Sequence, residues 1–405
     1  MEEKKEYYRD GAEERGKAAP LWTLPFLSFV LLNLFIFMGF DILLPTLSLY
    51  LENQGHSEAE IGRIFSAFTV AAIITRTLAG RLACHFAAMR LVRVGLLGCA
   101  VAGLWYFWAH SVPGGMAVRF LHGASFGLAS TLITSLASQI IPPARMGEGM
   151  GYLGLGTTLA LALGPFFGIW LVDEWGYLFL FVTTGGFYVG AVALVSLLPK
   201  LTLASAAPGA PRPKPVLLSR KILAPSLLIF LSGVVMSSVV IFLALFCKEK
   251  NLPYVGHFFV FSTIGLFVAR FTAGRIHDRL GHQFVIVPAG ALMLACMFLL
   301  HQADSRDMII AISIVYGLAT GAIFPSLQAL TISMVTTAGR TEAMASFFNA
   351  FDLGFGFGAL ALGYLANWSG SYGTVFLGGA AGAALLLLFY IGRYIIWKPK
   401  AKAGA

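Results

Sequence analysis

The chain has 405 residues, of which 58% are hydrophobic and 12% charged, and it carries a net charge of +9. So large an apolar share excludes an ordinary water-soluble domain, which holds about 45–50% apolar residues. The apolar residues fall in long continuous runs rich in Gly and Leu, which excludes the short alternating strands of a membrane barrel.

The polar opening MEEKKEYYRDGAEERGKAA has no short apolar core followed by a small-residue cleavage site, so the first span is expected to stay in the mature protein. A run of about 20 apolar residues crosses the hydrocarbon core as a helix. After an N-terminal tail (1–23), such runs are predicted at 24–50, 61–83, 90–110, 115–139, 148–172 and 177–199, an N-terminal six-helix bundle over 24–199. Residues 200–221, KLTLASAAPGAPRPKPVLLSRK, are rich in Pro, Ala and basic groups and read as a cytoplasmic linker. A second bundle over 222–397 follows, with runs at 222–247, 255–278, 284–302, 307–335, 342–366 and 372–397, and then a C-terminal tail (398–405). The expected fold class is therefore all-α integral membrane, with twelve transmembrane helices in two pseudo-symmetric bundles.

Of the 28 Lys and Arg residues, about 21 fall in the tails and every second loop, against Arg63, Lys248, Lys250 and Arg306 in the opposite loops. Arg76, Arg119 and Arg270 fall inside spans. This bias predicts a multi-pass protein of the cell membrane with both termini in the cytoplasm, its basicity serving orientation and attraction to anionic lipid rather than nucleic acid. Cys84, Cys99, Cys247 and Cys296 form no C-x-x-C pair, so neither a disulfide framework nor a metal site is expected. No other cofactor is expected.

The phrase GRLACHF at 80–86 returns as GRIHDRLG at 274–281, and from Gly80 to Gly274 is 194 residues. The same offset aligns Gly39 with Gly233, Gly62 with Gly256, Phe65 with Phe259, Arg76 with Arg270, Gly123 with Gly317, Glu148 with Glu342 and Gly164 with Gly358. A tandem duplication of six spans follows. Parallel repeats of this kind place a ligand site at the midplane between halves and work by alternating access.

Four stretches carry a resemblance: GRIHDRLG with its damaged copy GRLACHFA, RFLHG at 119–123, LGPFFG at 163–168, and MGFDILLPTLSLYL at 38–51. With these the chain resembles the major facilitator superfamily over essentially its whole length, and its drug and proton antiporter branch in particular. In that branch the Arg of span four is assigned a role in proton transfer, which the resemblance carries to Arg119. The resemblance also implies a cytoplasmic latch, in which an acid of the loop phrase faces the positive end of a helix in the other half. Gly274, Arg275, Asp278 and Arg279 supply it at span five, whereas Cys84 stands where the first copy would need the acid. Arg81, Glu148 and Glu342 are candidate additional partners. Gly164, Pro165 and Gly168 allow close helix contact and a bend, and in the resembled family that pattern goes with export more than with uptake.

Asp41 is an acid inside span one, where an ionised carboxylate is costly unless it is paired or faces water. It lies about 14 Å and Arg119 about 6 Å below the outer face, within reach of a long guanidinium. The expected pair forms when Asp41 is ionised and breaks on its protonation, with a static salt bridge that only holds spans one and four together as the alternative. His122, one turn from Arg119, is a candidate proton relay, with a hydrogen-bonded packing histidine as the alternative. Asp352 in span eleven is expected to be a second protonation site or a counter-charge for a cationic substrate, with Asn349 on the same face. Arg76 and Arg270 read as snorkelling or gate residues. Asn33, Phe37, Phe126, Tyr316, Phe324, Phe348, Asn349 and Phe351 are expected to line a greasy substrate cavity.

Together these features predict a monomeric, proton-coupled antiporter that exports a small amphipathic organic compound, a drug or a secreted metabolite such as a metallophore. Uptake symport of a small organic acid or sugar is the alternative. The sequence holds no G-x-x-x-x-G-K-[ST] loop, no H-E-x-x-H and no Ser, His and acid grouping, which argues against a nucleotide-driven pump and an enzyme.

Overall fold

The computed structural model describes residues 20–142, 145–198, 222–252, 255–335 and 340–396. Side chains are described throughout these segments except at 146–148, 151, 255, 271, 274, 275, 278, 340–342, 395 and 396. The outer parts of both tails and the 200–221 linker lie outside the described residues.

The helices are α1 (Leu24–Asp41), α2 (Leu43–Asn53), α3 (Glu58–His85), α4 (Ala88–Trp105), α5 (Val112–Ile140) and α6 (Met146–Leu197), followed by α7 (Leu223–Glu249), α8 (Val255–Leu280), α9 (Gln283–His301), α10 (Arg306–Ser333), α11 (Arg340–Ser369) and α12 (Gly373–Tyr390). Among the described residues, ten helical stretches are long and apolar enough to cross a membrane, and Gly256–Arg270 of α8 is a shorter apolar one. α1 and α2 form one bent span and α6 contains two, an arrangement consistent with twelve crossings.

Local chemistry sets the starts. Thr23 caps α1, accepting from the Phe26 N–H at 3.4 Å, with a proline in the first turn. Ser57 and Glu60 form a reciprocal capping box at α3. That box extends α3 three residues before the predicted position 61, because hydropathy alone omits the polar first turn. α4 stops at Trp105, short of the predicted 110, and hands over to a 3-10 turn at Tyr106–Trp108.

Two irregularities shape the N-terminal half. Pro45 has no N–H, and its ring crowds the carbonyl four residues back, that of Asp41, where α1 ends. One residue on, the Thr46 hydroxyl donates back to the Ile42 carbonyl at 2.5 Å. In α6 only Gly176 leaves helical geometry, at φ 82° and ψ 177°, a region that suits glycine. The chain reverses there. Asn33 of α1 bonds Leu153 and the nearby Phe35 packs on Phe187, residues that a straight helix would hold about 51 Å apart.

The duplication is repeated in the packing. A Cβ on Gly123 of α5 would fall on the Phe68 carbonyl of α3, and a Cβ on Gly317 of α10 would fall on the Ser262 carbonyl of α8. Gly127 against Ala72 and Gly321 against Leu266 repeat the relationship one turn on. Both partners in each case are 194 residues apart, so the same close helix crossing is built twice.

α1 begins and α12 ends at one end of the bundle, the termini end; Asn53, Glu58, Glu249 and Ser369 mark the far end. The halves are bridged from the far end inward. Lys248 of α7 donates to Glu52 Oε2 and to Asn53 Oδ1, each at 2.6 Å. His257 of α8 packs edge-on to Phe166 of α6 at 5.9 Å. Along α3 and α11, the Ser66 hydroxyl donates to the Gly356 carbonyl at 2.9 Å, and Arg76 meets Asp352 deeper still.

Candidate functional site

Asp41, Arg119 and His122 are buried in the N-terminal half, at 3%, 1% and 0% exposure. Asp41 sits on the break between α1 and α2, and α6 presses on it there. A Cβ at Gly164 would come within 2.7 Å of the Asp41 Cβ, and one at Gly168 would meet the Ile42 carbonyl. The glycines around Pro165 thus let the fifth span close on the acid. Asp41 Oδ2 has no hydrogen-bond partner, nor do Nε and Nη1 of Arg119.

The ion pair between Asp41 and Arg119 expected from their depths is not formed in this conformation. The guanidinium instead lies over the rings of Phe65, 4.2 Å from the centroid, and Phe68, at 5.1 Å. Ring faces attract a cation, but they do not replace the hydrogen bonds that a buried guanidinium requires.

His122 is held at both nitrogens. Tyr106 meets Nδ1 at 3.0 Å and Tyr188 meets Nε2 at 2.8 Å, so α5 is tied to the end of span three and to span six. Sequence reasoning named the histidine and missed both tyrosines, because a Tyr in an apolar helix reads equally well as an interfacial anchor. At the repeat offset, Asp41, Arg119 and His122 correspond to Val235, Ser313 and Tyr316. The buried acid, guanidinium and imidazole therefore have no counterparts in the second half. Tyr316 is buried, packs on Phe258 at 5.5 Å, and its hydroxyl has no partner.

Asp352 is engaged across the halves: Arg76 Nη1 donates to Asp352 Oδ2 at 2.6 Å, with both side chains partly exposed. Arg76, expected as a snorkelling or gate residue, is thus the partner of Asp352. Its repeat partner Arg270 is exposed.

The expected cavity residues divide. Asn33 donates to the Leu153 carbonyl at 2.9 Å and to Thr157 Oγ1 at 2.8 Å, and Phe126 packs on Phe37 at 5.3 Å and Phe40 at 4.8 Å. Asn33, Phe126 and Tyr316 are thus buried inside their own halves, and Asn349 is buried too. In the second half Phe324 gathers Phe347, Phe348 and Phe351 at 5.4, 6.1 and 5.4 Å. Phe348 remains exposed.

Of the latch residues, Arg81 and Arg279 are exposed, as is Cys84. The side chains of Glu148, Gly274, Arg275, Asp278 and Glu342 lie outside the described residues.

Two six-span halves with the same internal crossings, bridged across their length, are the architecture of a secondary transporter built from parallel repeats. A model of the Major Facilitator Superfamily matches residues 29–305 and 253–405, and the chain belongs to that family of multi-pass membrane transporters. The chain is 24% identical over 351 residues to an uncharacterized MFS-type transporter of Methanocaldococcus jannaschii, covering 82% of this chain and 88% of the relative. It is 24% identical over 370 residues to the multi-drug resistance efflux pump PmrA of Streptococcus pneumoniae, covering 86% and 90%. The fold is similar to that of a mutant of the nucleoside transporter NupG, with a TM-score of 0.77, 16% identity, and coverage of 91% of this chain and 99% of that one.

Proposed function

We propose that this transporter is a proton-coupled antiporter that exports a small amphipathic organic compound across the cell membrane by alternating access, with both termini in the cytoplasm. One observation carries the reading: Asp41 and Arg119 are sealed in the same half, make no ion pair with each other, and each leaves polar atoms without a partner. A protonated Asp41 has no charge and needs no partner, whereas an ionised one needs Arg119 or water. In the conformation closed at the far end, the protonated acid lies against Gly164 while the guanidinium rests on Phe65 and Phe68. Loss of the proton to the cytoplasm leaves a carboxylate that draws Arg119 off the rings, and the resulting ion pair belongs to the other access state.

Export rather than uptake is supported by the efflux pump among the relatives, and Gly164 of the glycine–proline stretch lies against the acid. A cytoplasmic latch of Gly274, Arg275, Asp278 and Arg279, with Arg81, Glu148 and Glu342, completes the proposal. Vesicles containing the protein, given an imposed pH gradient and a panel of cationic dyes, organic anions and metal-chelator complexes, test it. Substrate is expected to move against the proton flow and to stop in Asp41→Asn. Undiminished gradient-driven flux in that variant, or substrate moving together with protons, overturns it.

A further inference from the structure

We propose that the Arg76–Asp352 bridge is a ligand-exchange site: an organic cation with an aromatic body takes Asp352 over from Arg76, and the same exchange removes the bridge between the halves that lies on the termini side of the Ser66–Gly356 seam. The inference rests on the chain being a transporter but not on its being driven by protons.

The bridge is open to exchange. It uses one carboxylate oxygen, Oδ2, and one guanidinium nitrogen, Nη1. Oδ1 and the other two nitrogens make no further described hydrogen bond and are not among the buried unpartnered atoms, and the side chains are 24% and 19% exposed. Asp352 can therefore accept a second donor before it lets go of the first, so no intermediate leaves the carboxylate bare.

The surroundings select the sign of the ligand. Phe348, one turn before Asp352 on α11, is 37% exposed, and Phe324 and Phe351 stand beside it. Ring faces carry negative partial charge, which favours a cation and disfavours an anion next to them. The neighbours of Arg76 along α3, Ile73 and Thr77, offer no such surface and no second cation to hold an anion.

Position gives the exchange its consequence. The far end is held by Lys248 with Glu52 and by the tight seam of Ser66 on Gly356. Arg76 lies about 27 Å below the start of α3 and about 14 Å above its end. Once released, its long stem allows the guanidinium to swing toward the headgroups at the termini end.

Equilibrium binding of tetraphenylphosphonium to the purified protein in detergent, at fixed pH and without any gradient, tests the site. Tetraphenylborate, of the same shape and opposite charge, serves as competitor. Asp352→Asn is expected to weaken binding of the cation at least about tenfold, and Arg76→Gln to tighten it several-fold by freeing the carboxylate. Tetraphenylborate should not displace it. A purely structural bridge would make both variants weaker alike. That result overturns the proposal, as do unchanged binding in both variants, no binding by the unaltered protein, or displacement by the anion. Should Asp352→Asn fail to fold, the double variant Arg76→Gln with Asp352→Asn leaves no charge unpaired and is expected to bind as weakly. Because no gradient is applied, this result and the effect of Asp41→Asn on pH-driven flux stand or fall separately.

Discussion

Gly164 lies against Asp41 so closely that a Cβ there would come within 2.7 Å of the Cβ of the acid. The fifth span is thus the floor on which the carboxyl stands, and its neighbour Ile42 rests on Gly168 in the same way.

Adding bulk at that floor should lift the acid. Gly164→Val is expected to cost about 1–3 kcal/mol of stability through overpacking, and to reduce flux beyond what the lost folded protein explains. Thermal unfolding in detergent and transport per folded molecule separate the two effects, and equal losses in both would remove Gly164 from the transport mechanism.

Tyr188→Phe takes away the hydroxyl that meets His122 Nε2 at 2.8 Å in a fully buried site. A buried nitrogen left without its partner costs about 1–3 kcal/mol, and Tyr106→Phe is expected to do the same at Nδ1. Unfolding midpoints of the two variants, which should both fall, measure this directly.

Closure of the far end is open to chemical trapping. With exposed Cys84 replaced by Ser, the pair Glu52→Cys and Lys248→Cys is expected to react with a short, reducible thiol cross-linker, because the native side chains meet at 2.6 Å. Cross-linking should stop flux and reductant should restore it; flux that persists through complete cross-linking would show that the far end need not open there.

His282, just outside the membrane span that begins at Gln283, carries a pH dependence of stability. Burial, and then the neighbouring His277, hold its imidazole below the ordinary value of 6.5. The folded protein therefore binds this proton more weakly than the unfolded chain does. Its contribution is complete above about pH 6.5 and is lost as the pH falls from there through the lowered folded value. His282 also hydrogen-bonds Tyr390 and packs edge-on against Tyr394, so the variant is compared by slope and not by absolute stability. Unfolding temperatures between pH 8 and pH 5 should fall less steeply in His282→Asn, and an unaltered slope would remove His282 as the source.

Spans and their duplication were legible because both are periodic. Apolar runs record the bilayer, and the constant offset from Gly80 to Gly274 recurs at Gly123 and Gly317, where the same crossing is packed twice. Contacts between the halves have no such period. Arg76 and Asp352 are 276 residues apart, and only the folded chain brings them together. The Asp41 and Arg119 expectation rested on depth and reach, which do not register that Phe65 and Phe68 offer the guanidinium a resting place nearer at hand. Tyr106 and Tyr188 were missed because hydropathy does not distinguish a hydroxyl clamping an imidazole from one anchored at the lipid surface.

The one-residue corner at Gly176 makes the fifth and sixth spans a staple with two stiff legs. Gly164 and Tyr188 stand at matching heights on those legs, one before and one after the corner, and each abuts the same stretch of α1: Gly164 at Asp41, and the Tyr188 ring at Gly39, 2.9 Å from where a Cβ would be. A tilt imposed on the leg under the acid must reappear at the leg that grips the imidazole. No slack loop intervenes to absorb it.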